Sequence, residues 1–228
     1  MEEKKVVKLK KEEFAIREFV INFLGKGKVS KVRIEYSPIG EKIIISTHKP
    51  GLVVGRGGER IEELTNILKS NFNLENPHIE IEEIKIPELN AQLMADEIAL
   101  SIERFGPLKF KVIAYKTLQK IIDAGARGAE IRLSGKLPSS RAKSWRFSYG
   151  YLKKIGDSAK VVDKAMSIAQ TKPGTVGVKV SILPPDVELK DNITIDENLI
   201  SKIKENVKFI NEDKNEGVKK IKKKKNDK

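Results

Sequence analysis

The chain has 228 residues, 39% of them hydrophobic and 34% charged, with a formal net charge of +13; this is enough for one large domain or two ordinary ones, and the charge excess points to a polyanionic partner. It has no cysteine and only two histidines, His48 and His78, which excludes disulfides and thiolate metal sites and leaves no recognisable zinc ligand set; no metal and no cofactor are expected. The charged start MEEKKVVKLKKEEF leads into no apolar leader and no stretch approaches a membrane span, so a cytoplasmic chain with no membrane contact is expected.

In chain order, residues 12–25 place Phe14, Ile16, Phe19, Val20, Phe23 and Leu24 on a broad apolar helical face, with Gly25 and Gly27 available to stop it. Two alternating runs, 29–36 and 42–47, flank a turn containing Pro38 and Gly40 and predict a hairpin. Leu52–Val54 leads into Gly55-Arg56-Gly57-Gly58, after which Ile61, Leu64, Ile67 and Leu68 recur with helical spacing. Ile79 and Ile81, then Ile84 and Ile86, predict a strand closing at Pro87. Two helices, 89–102 and 110–124, follow on either side of Gly106-Pro107, and Gly128 and Gly135 frame a strand around Ile131 and Leu133. Trp145, Phe147 and Tyr149 alternate and share one face of a strand, either as core or as a stacking platform for bases. Segment 157–172 fits a helix through Val161, Val162, Ala165, Met166 and Ala169, and fits a strand through Met166 and Ile168. Residues 177–183 read as a strand ended by Pro184-Pro185. Beyond Asp191 a short amphipathic helix over 193–210 is possible, and the lysine-rich end is expected to be disordered.

Charge is unevenly spread. Residues 1–108 hold 17 Lys and Arg against 18 Asp and Glu, whereas 109–160 hold 13 against 3. A solvated face is the plainer reading of such a run. A phosphate backbone is the sharper one, since neutralising it releases counterions. The candidate contacts are Lys109, Lys111, Lys116, Lys120, Arg127, Arg132, Lys136, Arg141, Lys143 and Arg146, an extended surface able to follow two RNA segments and to position phosphates rather than read bases.

The sequence Gly55-Arg56-Gly57-Gly58 between two helices has the placement of a GxxG nucleic-acid clamp. Glycines let the backbone approach phosphates, Arg56 supplies charge, and Leu52, Val53, Val54 and Ile61 are candidates for the apolar side of a groove about four bases long. A turn that needs glycine for packing alone is the competing reading, and Glu59, Glu62 and Glu63 just beyond the loop disfavour tight phosphate contact. No Gly-Lys-Ser/Thr follows, so a Walker loop is excluded. The order helix, strand, strand, short helix, helix, strand is that of a type II KH domain.

With these motifs in place the chain resembles the family of the third small-subunit ribosomal protein in its archaeal and eukaryotic form. The resemblance is carried by the glycine loop, by AGARGAEIRLSGKL at 124–137, by the turn and strand at 140–147, and by KPGTVGVKVSILPP at 172–185. It implies an α+β architecture: a type II KH domain (α-β-β-α-α-β) at 1–88, then at 89–190 a second α/β domain with two helices on a mostly antiparallel sheet, then a basic flexible tail at 191–228. It favours sheet over helix for 165–170. It implies a structural, non-enzymatic protein of the small-subunit head, contacting 16S ribosomal RNA, other head proteins, and messenger RNA where it enters its channel. Lys111, Lys116 and Lys109 match the family's messenger-facing cations, while Val112 and Tyr115 stand where many relatives carry a cation. A free-standing KH-type RNA regulator or a ribosome assembly factor is the alternative.

Overall fold

The computed structural model describes residues 2–37, 40–72, 74, 76–187, 200, 201 and 203. The expected helix over 193–210 lies outside these residues except for Ile200, Ser201 and Ile203, which are helical, and the rest of the tail lies outside them entirely.

Helix α1 spans Glu2–Leu24 and buries Ile16, Val20 and Leu24, each four residues from the next and therefore on one face. It begins well before the apolar run that announces it. Its first turns carry surface ion pairs, Lys8 to Glu12 at 3.9 Å and Lys10 to Glu13 at 2.8 Å, which support a helix without burial. Phe14, expected on the apolar face, is 61% exposed. Strands β1 (Val29–Ser37) and β2 (Gly40–Thr47) form the expected antiparallel hairpin. Strand β3 (His78–Glu83) pairs with β2 in parallel, a geometry that needs a crossover. Helices α2 (Pro50–Val54) and α3 (Glu59–Phe72) supply it. Val32, Ile43 and Ile45 pack with Val53, Leu64, Leu68 and the buried face of α1 into one core, and Phe19 meets Phe72 edge-on at 5.7 Å. The strand predicted through Ile86 stops at Glu83; Ile84 still donates its N–H to Thr47 O at 2.8 Å, but Ile86 is half exposed.

Asn90 then starts helix α4 (Ala91–Phe105), its side chain accepting from the N–H groups of Gln92 and Leu93, which would otherwise lack partners. Helix α5 (Phe110–Asp123) follows. Strands β4 (Gly128–Gly135), β5 (Lys143–Gly150), β6 (Asp163–Thr171) and β7 (Gly174–Leu183) form an antiparallel sheet in the order β5-β4-β7-β6. Ile131, Leu133, Phe147, Val178, Val180 and Ile182 pack against Ile98, Ile102, Phe110, Ile113 and Ile121, forming a second core between the sheet and the two helices. Segment 163–171 is strand, not helix.

Residues 1–187 form one compact unit, and polar contacts join its two cores. Gly27 N–H donates to Asp96 Oδ2 at 3.0 Å, Ser30 Oγ to Asn90 Oδ1 at 2.9 Å, and Lys26 Nζ to the Ile168 carbonyl at 2.9 Å.

Candidate nucleic-acid interface

The GRGG turn is built by two different demands on its glycines. Gly55 closes α2 by donating its N–H to Gly51 O at 3.1 Å, and a β-carbon there would lie 2.8 Å from Arg60 Cβ, so packing excludes one. Gly57 and Gly58 have φ of +62° and +89°, yet a β-carbon at either would meet nothing within 4 Å. Their backbone demand is left-handed torsion, and the space over them is open. Beside the start of α3, where an anion would meet free N–H groups, neither glycine is crowded on the side a β-carbon would take. Arg56 is exposed beside this opening. So are Glu59, Glu62 and Glu63, which temper the field. Of the four apolar groove candidates only Leu52 is well exposed; Val54 and Ile61 are partly covered, and Val53, 2% exposed, belongs to the core.

The ten cations of the second half do not share one surface. Because side chains alternate across a strand, Ile131, Leu133 and Phe147 face the helices, and Arg132 and Arg146 project from the opposite face of the sheet. Lys109, Lys111, Lys116 and Lys120 lie on the helical side. Lys111 Nζ sits 4.8 Å from the Trp145 ring centre and Lys109 Nζ 5.9 Å from that of Phe105, distances at which the ring quadrupole attracts a cation. Lys120 pairs with Glu97 at 2.5 Å. Lys116 is exposed. Val112 and Tyr115 are exposed too, 68% and 61%, so the outer side of α5 mixes apolar surface with its lysines. Trp145 and Phe147 pack around Phe110, at 5.4 and 6.5 Å between ring centres, and Tyr115 meets Phe147 edge-on. Phe110 and Phe147 belong to the core and Trp145 packs against it, whereas Tyr115 and Tyr149 remain 61% and 49% exposed.

On the far face Glu130 Oε1 accepts from Arg132 at 3.4 Å and pairs with Arg146 Nε at 3.3 Å, while Oε2 pairs with Lys154 at 2.6 Å. Burial pushes the Glu130 carboxyl upward, but the Lys154 hydrogen bond and the charges of Lys154, Arg146 and Arg132 outweigh it and hold the group below its ordinary range. Arg127 donates to the Val187 carbonyl at 2.7 Å. Lys136, Arg141 and Lys143 are exposed around the β4–β5 connection. Lys154, Lys164 and Lys179 join Arg132 and Arg146 around one depression or ion pair, although the sequence singled out none of the three. For Lys164 and Lys179 the signal was strand alternation, readable only when the strand pairing is known; Lys154 lies in the loop after β5.

Among the described residues no group of three or more His, Asp or Glu side chains is placed to hold a metal, and no helix is long and apolar enough to cross a membrane.

A glycine turn opening a helix, set beside a three-stranded mixed sheet and followed by a cation-bearing α/β layer, defines the class: a nucleic-acid-binding protein of the KH type with a second α/β domain. Residues 15–89 match the model of the KH domain, and residues 98–182 match the model described as ribosomal protein S3, C-terminal domain. The small ribosomal subunit protein uS3 of Methanosphaera stadtmanae is 38% identical over 208 residues, 91% of this chain and 82% of that protein. That of Methanocaldococcus jannaschii is 41% identical over 199 residues, 87% of this chain and 95% of its own length. The uS3 of Methanothermobacter thermautotrophicus is 38% identical over 177 residues, 77% of this chain and 68% of its own length. The chain belongs to the uS3 family of small-subunit ribosomal proteins.

Proposed function

We propose that this chain is a structural, non-catalytic constituent of the small-subunit head, binding 16S ribosomal RNA and neighbouring head proteins and lining the channel through which messenger RNA enters. Its membership of the uS3 family carries this reading. In it, residues 1–88 are a type II KH domain and 89–190 the second domain. Gly55, Arg56, Gly57 and Gly58 clamp an RNA strand. Lys109, Lys111 and Lys116 face the messenger, and Lys120, Arg127, Arg132, Lys136, Arg141, Lys143 and Arg146 register folded ribosomal RNA by its phosphates.

The action is electrostatic and mechanical. Lysines held at the channel mouth engage the phosphates of separated strands while translocation supplies the work. Lys111, exposed and resting beside the Trp145 ring, is a cation within reach of a passing phosphate, as this requires.

Purified small subunits should contain the chain in near-stoichiometric amount, crosslinked to RNA through 109–146. Sedimentation away from mature subunits would instead describe a free-standing KH-type regulator or an assembly factor.

A further inference from the structure

The sheet face turned away from α4 and α5 lines up like charges across three strands. Arg146 on β5, Arg132 on β4 and Lys179 on β7 are direct register partners. Like charges directly opposite one another destabilise a sheet, so stability alone gives no reason for the row. One carboxylate, Glu130, is shared by Arg132, Arg146 and Lys154. Lys164 and Lys179 are exposed and make no ion pair with any described residue. Among the described residues Arg132, Arg146, Lys154, Lys164 and Lys179 thus gather around the one carboxylate of Glu130, with Lys153 beside them. A depression of about 200 Å³ runs between Glu130, Arg132, Lys154, Lys164, Lys179 and Ser181.

The rest of this face suits a polyphosphate strand. Ser134 stands opposite Ser144 and Gly177, and Glu130 opposite Ser148 and Ser181, so this face carries small side chains and hydroxyl donors between its cations. Strands lie about 5 Å apart, which spaces the cations for phosphates recurring along a chain rather than for one compact anion. A protein partner would want an apolar, charge-poor centre; here charge occupies the centre and the apolar residues border it, Met166 and Ile168 on the edge strand β6 and Leu152 beside the depression.

We propose that this open sheet face is a second ribosomal-RNA site, distinct from the glycine loop and from α5, in which Arg146, Arg132 and Lys179 seat consecutive phosphates of a folded RNA. Lys164 and Lys154 hold its rim, and Glu130 fixes the two arginines in place. The inference rests on the reading of the chain as a protein that binds ribosomal RNA.

The experiment measures binding of the full chain to an in vitro transcript of the head domain of small-subunit ribosomal RNA, at several salt concentrations. Lys164→Ala with Lys179→Ala should weaken binding about tenfold at fixed salt and make the slope of log affinity against log salt shallower by about 1.8, as for two lost phosphate contacts. Lys4→Ala with Lys5→Ala removes the same charge from α1 and should leave both quantities near wild type. If the wild type binds and the Lys164/Lys179 variant matches it, the proposed face is refuted while the broader reading stands. Should the variant bind RNA normally and lose a head protein from assembly, the face belongs to protein and the proposal is overturned. A wild-type chain with no salt-dependent binding would defeat both readings together.

Discussion

Arg132 and Arg146 stand directly opposite each other on β4 and β5 and both pair with the same oxygen, Glu130 Oε1, at 3.4 and 3.3 Å. The shared carboxylate converts a repulsive cross-strand pair into a bridged one, with Lys154 on the other oxygen at 2.6 Å. Glu130→Gln should therefore destabilise the fold by about 1–2 kcal/mol near neutral pH, the partners' partial exposure reducing what a fully buried network would lose. Because the folded-state carboxyl is held below its ordinary range, its stabilisation is complete above the unfolded carboxylate pKa and fades as pH falls through the lowered one. Urea midpoints of wild type and variant should differ most at neutral pH and converge in acid. A gap that is constant with pH would show that Glu130 acts by shape alone.

Two glycines of the loop should respond differently to substitution. Gly55→Ala forces a β-carbon against Arg60 at a position with φ of +77° and should cost about 2 kcal/mol of stability. Gly58→Asp has room, so it should remain folded, with a smaller strain penalty, and lose RNA protection near the loop through its charge and bulk. Urea unfolding combined with hydroxyl-radical footprinting separates the two effects. An unchanged footprint in a folded Gly58→Asp chain would mean that the loop does not grip RNA.

Asn90 does two jobs with one oxygen. It caps α4 through Gln92 and Leu93 at 3.1 and 3.3 Å and receives the Ser30 hydroxyl at 2.9 Å from β1. Asn90→Ala should lower stability by about 1–2 kcal/mol, and Asn90→Asp, which keeps the acceptor, should recover most of it. Equal losses for both substitutions would argue against the cap as the cause.

The hairpin, the glycine turn and both long helices of the second half were legible because their periodicities and breakers agree with the packing. Segment 163–171 was not, because its pattern is inverted: Ala165, Ser167 and Ala169 face the helices, whereas Met166 and Ile168 are 66% and 56% exposed. Only small side chains fit beneath α4, so burial runs against hydrophobicity and the strand mimics a helix. The start of α1 was hidden for the opposite reason, since ion pairs rather than apolar burial support its first turns. Candidate site residues stood out in the sequence where charge clusters along the chain, as at 109–146. Lys164 and Lys179 did not stand out, because they come near Arg132 only through strand pairing, a relationship absent from any local window.

Trp145 is the only tryptophan of the chain, and Lys111 lies over its ring at 4.8 Å. A cation so placed gains roughly 0.5–1 kcal/mol at an exposed site, too little to resist an approaching phosphate. Single-stranded RNA engaging α5 should therefore draw the ammonium from the ring and change Trp145 emission. Lys111→Ala should leave the melting temperature nearly unchanged, alter the emission of the free chain and abolish most of its response to RNA. Combined with Lys116→Ala, it should slow elongation on structured messenger while sparing unstructured templates and subunit assembly. If RNA binds, as judged by filter retention, without any change in wild-type emission, Lys111 is not at the contact, and the messenger-facing role passes to Lys109 and Lys116.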